Sequence, residues 1–303
     1  MVIRSTALIL DDSIAAINEE QDMIMAEQAI LSNLKMLEGL IKGDPDNRKL
    51  LLLASQGFSS YAFGFAEESD PERAKIFYNR GRDYGLRILK KDKYFSEALE
   101  KGAEGFKDSL KGFGRDDIPA LFWTGYSWSG WINLNKDSPE AIADIVKVEY
   151  LMNRVLKLIE QLLQDKGIIP GDGISLQELK EYLSTHPKKR DRILTYNEGY
   201  YYWGSHLFLG AYYAGRPGML GGDTEKGRSH FEICIEITGG RFLMTYVLYA
   251  RFYAVQVQDR GLFEELLNKV IDTPGSVVPE QRLANEIAKT KARRLLERVE
   301  DFF

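Results

Sequence analysis

"FSSYAFGFAEESDPERAKIFYNRG", residues 58 to 81, holds two runs rich in aromatic and small residues on either side of Ser69-Asp70-Pro71-Glu72. Asp70 is placed to cap a helix and Pro71 to occupy its first turn. Phe58, Tyr61, Ala62 and Phe65 before the break, and Ala74, Tyr78 and Gly81 after it, recur at the spacing of a helix face. Small residues let two helices approach closely, and aromatic rings fill the groove toward a following pair. The stretch predicts a helical hairpin.

This spacing is that of a tetratricopeptide hairpin, and three more stretches repeat it in degenerate form. Gly125, Trp128, Ser129 and Ile132 lead to Ala141, Ile145 and Val148; His206, Leu209, Gly210 and Tyr213 lead to Gly227, Phe231 and Cys234; Tyr246, Tyr249, Ala250 and Tyr253 lead to Leu262, Leu266 and Lys269. Apolar residues recur three and four apart almost throughout, and strand-like alternation is hard to find. The expectation is an all-α, single helical-repeat domain over 1–303, with hairpins near 58–81, 125–148, 206–234 and 246–269. Flanking it, residues 5 to 42 read as one long helix or a broken pair ending near Gly43. Ser138-Pro139-Glu140 opens a helix running to about Gln164, and a charged helix over 279–301 is expected across the outside of the fold.

Two stretches invite a chemical reading that their residues do not support. "GRPGMLGGDTEKGR", residues 215–228, has the glycines of a phosphate loop but neither its Gly-Lys-Ser/Thr ending nor a preceding strand. It reads as the turn of the third hairpin, with Asp223 as N-cap and Gly215 to Gly222 as a shaped surface loop. "DKGIIPGDGISLQEL", residues 165–179, resembles a calcium loop, yet with Gly173 at the invariant glycine Ile168 and Pro170 fall where oxygen ligands are required, and Leu179 where a glutamate is. It reads as a turn before a helix starting near Ser175, with Glu178 completing a capping box.

Composition narrows the classes. Among 303 residues, 44 % are apolar and 28 % charged, an ordinary globular balance, and a net charge of −5 argues against a general nucleic-acid binder. A single cysteine, Cys234, leaves no intramolecular disulfide and no thiol cluster for a metal, and no cofactor is expected. His186, His206 and His230 form no metalloprotease pair, and no nucleophile elbow occurs. The start, "MVIRSTALILDDS", is too briefly apolar for a signal peptide or a span, which implies either a cytoplasmic protein beginning at Met1 or an exported one with its signal removed.

Aromatic residues are concentrated. Phe122, Trp123, Tyr126, Trp128 and Trp131 crowd one stretch, and Tyr196, Tyr200, Tyr201, Tyr202, Trp203, Tyr212 and Tyr213 another. Such rings form repeat core or line a groove whose polar tips orient a ligand. The candidates for a cavity lining are Trp123, Tyr126, Trp128, His206, Tyr213, Arg216, Arg251 and Asp259, with Asn133 and Gln256 as further polar groups. The arginines could hold a ligand carboxylate by paired hydrogen bonds.

"ALFWTGYSWSGWINLNKD", "HLFLGAYYAGRPGMLGGDTEKGRSHFE" and "YVLYARFYAVQVQDRGLFEELLNKVID" resemble the T-component family associated with TRAP transporters, over about residues 30–272. The resemblance implies cryptic tetratricopeptide repeats, a homotrimer, a pore or cavity for a partly apolar or carboxylate-bearing ligand, and docking to the transporter's solute-binding subunit. It also implies a non-enzymatic periplasmic lipoprotein, although neither an export signal nor a lipid-bearing cysteine stands in this sequence. Two other readings stay open: a cytoplasmic tetratricopeptide adaptor gripping a peptide, and a helical enzyme working in the aromatic cavity.

Overall fold

Asp22, Asn47, Asp70 and Asp92 each turn a side-chain oxygen back onto first-turn amides of the helix that follows, and these caps set where the chain's early helices begin. The computed structural model describes residues 12–171, 174–195 and 199–303; Gly173, Tyr196, the side chains of Tyr200 and Tyr202, and the start of the helix expected from residue 5 lie outside them. Among the described residues there is no strand, and the all-α class stands. The chain divides into two compact units, Met1–Leu158 and Ile159–Phe303.

In the first unit, residues 12–18 are helical, and after the Asp22 cap the chain restarts as α1 (Met23–Gly43), so the first helix is a broken pair. Then come α2 (Arg48–Tyr61), α3 (Pro71–Leu89), α4 (Lys93–Ala98), α5 (Ala103–Ser109), α6 (Ile118–Leu134) and α7 (Pro139–Asp165), whose residues from Ile159 belong to the second unit. A π turn, Ala62–Ala66, prolongs α2, with Glu67 N–H donating to Ala62 C=O at 2.8 Å.

The first hairpin is α2 with α3, and Phe58, Tyr61, Ala62, Ala74, Tyr78 and Gly81 are all buried in it. Close approach continues from α3 to α6. A Cβ at Gly85 would lie 2.2 Å from Thr124 Oγ1, one at Gly81 2.8 Å from Ser127 Oγ, and one at Gly130 2.3 Å from the Tyr78 ring. Small residues on both helices therefore set the interaxial distance. The second hairpin joins α6 to α7: Met152 and Leu151 pack over Gly125, and Trp128 Nε1 donates to Asp144 Oδ2 at 3.1 Å. Phe95, Phe106 and Phe113 close a ring cluster beneath α4 and α5.

The second unit contains α8 (Leu176–Thr185), α9 (Pro187–Thr195), α10 (Gly199–Ala214), α11 (Thr224–Thr238), α12 (Met244–Leu248), α13 (Arg260–Asp272) and α14 (Arg282–Glu297). The capping box at Ser175 and Glu178 is formed and opens α8. In the third hairpin, α10 with α11, a Cβ at Gly210 would touch the Phe231 ring at 3.0 Å and one at Gly227 the Ala214 backbone at 2.6 Å. The fourth consists of α12, a second π turn over Tyr249–Ala254, and α13; Phe231 stacks on Tyr249 at 5.0 Å, and Lys269 Nζ sits 4.5 Å from the Tyr246 ring centre.

The C-terminal helix departs from expectation. It is α-helical only from Arg282 to Glu297, with 3-10 turns at either end, and its apolar face is core: Leu283, Ile287, Ala288 and Ala292 are buried. Asn285, fully buried on that face, accepts from Leu243 N–H at 3.0 Å and donates to Arg241 C=O at 3.2 Å and Gly275 C=O at 3.3 Å. It ties two loops to α14, and its amide can do this because three backbone groups left over at helix ends converge on it.

Candidate functional site

The third hairpin organises the candidate residues of the second unit. Its loop is a turn and is built by its glycines. Gly221 adopts φ 81°, and a Cβ at Gly222 would fall 1.9 Å from Arg216 C=O, so only glycine fits there. Asp223 N–H donates to Tyr213 C=O at 2.9 Å, closing the loop across its base, and the Asp223 carboxylate caps α11 through Lys226 N–H at 2.9 Å. Met219 and Leu220 stand exposed at the tip.

Below the loop, His206 from α10 and His230 from α11 meet with Nδ1 to Nδ1 at 2.8 Å, both rings buried. One nitrogen must carry the proton and the other must accept it, so at most one of the two rings can be charged while the contact lasts. Burial pushes the His206 imidazole well below its ordinary range, with the neighbouring His230 adding to the effect. Burial, and then the positive Lys226, push His230 down to about 3. Tyr213 stacks on His230 at 5.8 Å and 10°, and Lys226 Nζ lies 3.7 Å from the centre of the Tyr213 ring. The result is a column that runs from the exposed Lys226 through the buried phenol to the buried imidazole pair.

Arg216 repeats the cation-on-tyrosine arrangement one residue earlier, with Cζ 3.7 Å from the Tyr212 ring centre, and Tyr212 meets Tyr213 edge-on at 5.0 Å. Arg251 lies in the second π turn, half-buried, beside Phe252. The Phe252 ring in turn packs over Gly215, where a Cβ would lie 2.6 Å away, so this π turn abuts the Arg216 loop. Asp259 is placed otherwise: it is exposed, and its carboxylate caps α13 by accepting from Leu262 N–H at 2.9 Å. Gln256 is exposed.

In the first unit, Trp123 and Tyr126 contact each other at 5.4 Å and share a cluster with Phe122 and with Phe63 of the first π turn. Trp123 is buried and Tyr126 half-buried, so this face of α6 presents rings flanked by the half-exposed turn residues 63–65. Trp128 is apart from this cluster, its N–H taken by Asp144 and its ring edge-on to Phe106 at 6.3 Å.

His230, Lys226 and the π turns are the features that the repeat spacing did not single out. A signal for the histidine pair existed: His206 and His230 stand about two helical turns from either end of the same loop, which puts them at one level of an antiparallel hairpin. The π turns carry no such signal. Cys234 is fully buried against Thr245 at 3.2 Å, and burial pushes its thiol up to about 12, far from a nucleophile's range. Among the described residues no group of three His, Cys, Asp or Glu is arranged for a metal, and no helix is long and apolar enough to cross a membrane.

Paired helices with small-residue seams, capped turns and aromatic faces define a protein of the helical-hairpin class. More particularly, the chain matches the TRAP transporter T-component family (TAtT) over residues 19–164 and 188–303, and it belongs to that family. It is also 23 % identical to an uncharacterized protein of Treponema pallidum (strain Nichols), with 94 % of this chain and 81 % of the relative aligned.

Proposed function

We propose that the protein is a non-enzymatic accessory and scaffold component that docks the solute-binding subunit of a TRAP transporter and holds a small, partly apolar organic acid for it. Membership of the T-component family carries this reading. Helical hairpins stacked through small residues supply surfaces suited to gripping another protein. The ring cluster of Phe63, Phe122, Trp123 and Tyr126 gives one apolar contact face, and the tyrosines capped by Arg216 and Lys226 give a second with cations beside it. An acid with an apolar body suits this second face, its carboxylate meeting Arg216 or Arg251. The working form in this reading is a homotrimer in the periplasm, held to the membrane through a lipid anchor.

Calorimetric titration with hexanoate tests the ligand half of this reading. Arg251→Ala should weaken hexanoate binding by about 10-fold or more, the worth of a charged hydrogen-bond pair, while the far-ultraviolet circular dichroism stays the same. Unchanged affinity removes Arg251 from the site.

A further inference from the structure

Arg190, half-buried, reaches a carboxylate at hydrogen-bonding distance, Glu236 at 3.2 Å. Arg82 on α3 does not. Its side chain is 16 % exposed, and among the described residues the one carboxylate oxygen within 4 Å, Asp83 Oδ1, lies 3.9 Å from Nε on a side chain that is 60 % exposed. Nη2 donates to Asn79 Oδ1 at 2.6 Å, whereas Nε is buried with no hydrogen-bond partner. Two tryptophans one turn apart on α6 flank the guanidinium, Trp128 at 5.5 Å and Trp131 at 5.0 Å from Cζ to ring centre.

The indoles hold the guanidinium plane in place and strip water from it without neutralising it. Trp128 is fixed on its other sides by its bond to Asp144 and by Lys147, whose own charge is matched by Asp144 at 3.0 Å. The half-buried Trp131 is anchored through its carbonyl, which accepts from Asn135 Nδ2 at 2.7 Å. A largely desolvated guanidinium, held by Asn79 and walled by two indoles, matches a carboxylate attached to an apolar group.

We propose that Arg82, Asn79 and Trp131 form a carboxylate-binding site, separate from the Arg216 and Arg251 region, whose ligand lays an apolar segment along Trp131. The carboxylate belongs either to a small organic acid or to the C-terminus of a peptide chain. The test is tryptophan fluorescence of the full chain titrated with benzoate, with its neutral amide benzamide, and with Ala-Ala-Phe bearing a free or an amidated C-terminus.

Saturable quenching by benzoate but not benzamide is expected, weakened at least 10-fold in Arg82→Gln, weakened less in Arg82→Lys, and unaffected by Arg251→Ala. Tighter binding of the free-acid tripeptide than of benzoate assigns the site to chain termini, and the reverse assigns it to small acids. If Arg82→Gln fails to fold, Arg82→Lys decides, because it keeps the charge over the indoles but not the fork. Absence of saturable quenching by both carboxylates, an equal response to the amides, or unaltered binding in the Arg82 variants overturns the proposal.

Discussion

The histidine pair makes stability depend on pH in a window where few other groups titrate. His230 is held down to about 3 in the folded protein by burial and by Lys226, against an ordinary value of 6.5 when the chain is unfolded. The unfolded state therefore takes up a proton that the folded state refuses. Stability is complete above pH 6.5 and is lost progressively as the pH falls from there toward 3. At pH 5.5 the loss for one such histidine is about 1.4 kcal/mol, one pH unit below the unfolded value. At most one ring of the pair can be charged while the Nδ1 contact at 2.8 Å lasts, so at least one histidine contributes this full amount. Glu38 and Glu232 are held below the ordinary carboxylate value by Lys35 and Arg80 and by Lys180 and Arg228, and their contributions fade only at lower pH. Urea unfolding followed by circular dichroism at pH 7.5 and 5.5 gives the difference directly. His206→Leu combined with His230→Leu should abolish it. A stability unchanged between the two pH values, or the same change in the double variant, refutes the buried neutral pair.

Two packing predictions follow from the hairpin seams. Gly210→Leu places a side chain where even a Cβ stands 3.0 Å from the Phe231 ring, and overpacking there should lower stability by about 1–3 kcal/mol, read as a fall in melting temperature; an unchanged melting temperature means that α10 and α11 do not meet at this residue. Asn285→Leu leaves the Leu243 amide and the Arg241 and Gly275 carbonyls unsatisfied in the core, and should cost roughly 3 kcal/mol in urea unfolding, with a loss below about 1 kcal/mol counting against its bracing role.

Much of the architecture was legible because it rests on local rules. Asp70-Pro71 and Asp223 announce helix starts, Ser175 and Glu178 form the capping box their spacing predicts, and Ala74, Tyr78 and Gly81 fall on the buried face of α3. What a helix packs against is not a local property. Gly85 and Thr124 are 39 residues apart, and neither marks the other as its partner, although their contact helps set the distance between α3 and α6. The second π turn has the same cause: its register follows from how Tyr249 and Tyr253 settle against α11, not from the repeat spacing. For the candidate site, the sequence named rings without sorting them. Trp123 and Tyr126 share a face while Trp128 is committed to Asp144, and Asp259 caps a helix, because each polar tip is claimed by whichever donor or acceptor tertiary packing brings to it.

The docking role is tested most directly by sedimentation velocity of this chain, alone and mixed with a TRAP solute-binding subunit from the same genome. A trimer that moves to a heavier species in the mixture is the predicted result. A chain that sediments as a monomer and is unmoved by the subunit contradicts the scaffold reading and leaves a helical-hairpin protein whose partner lies elsewhere.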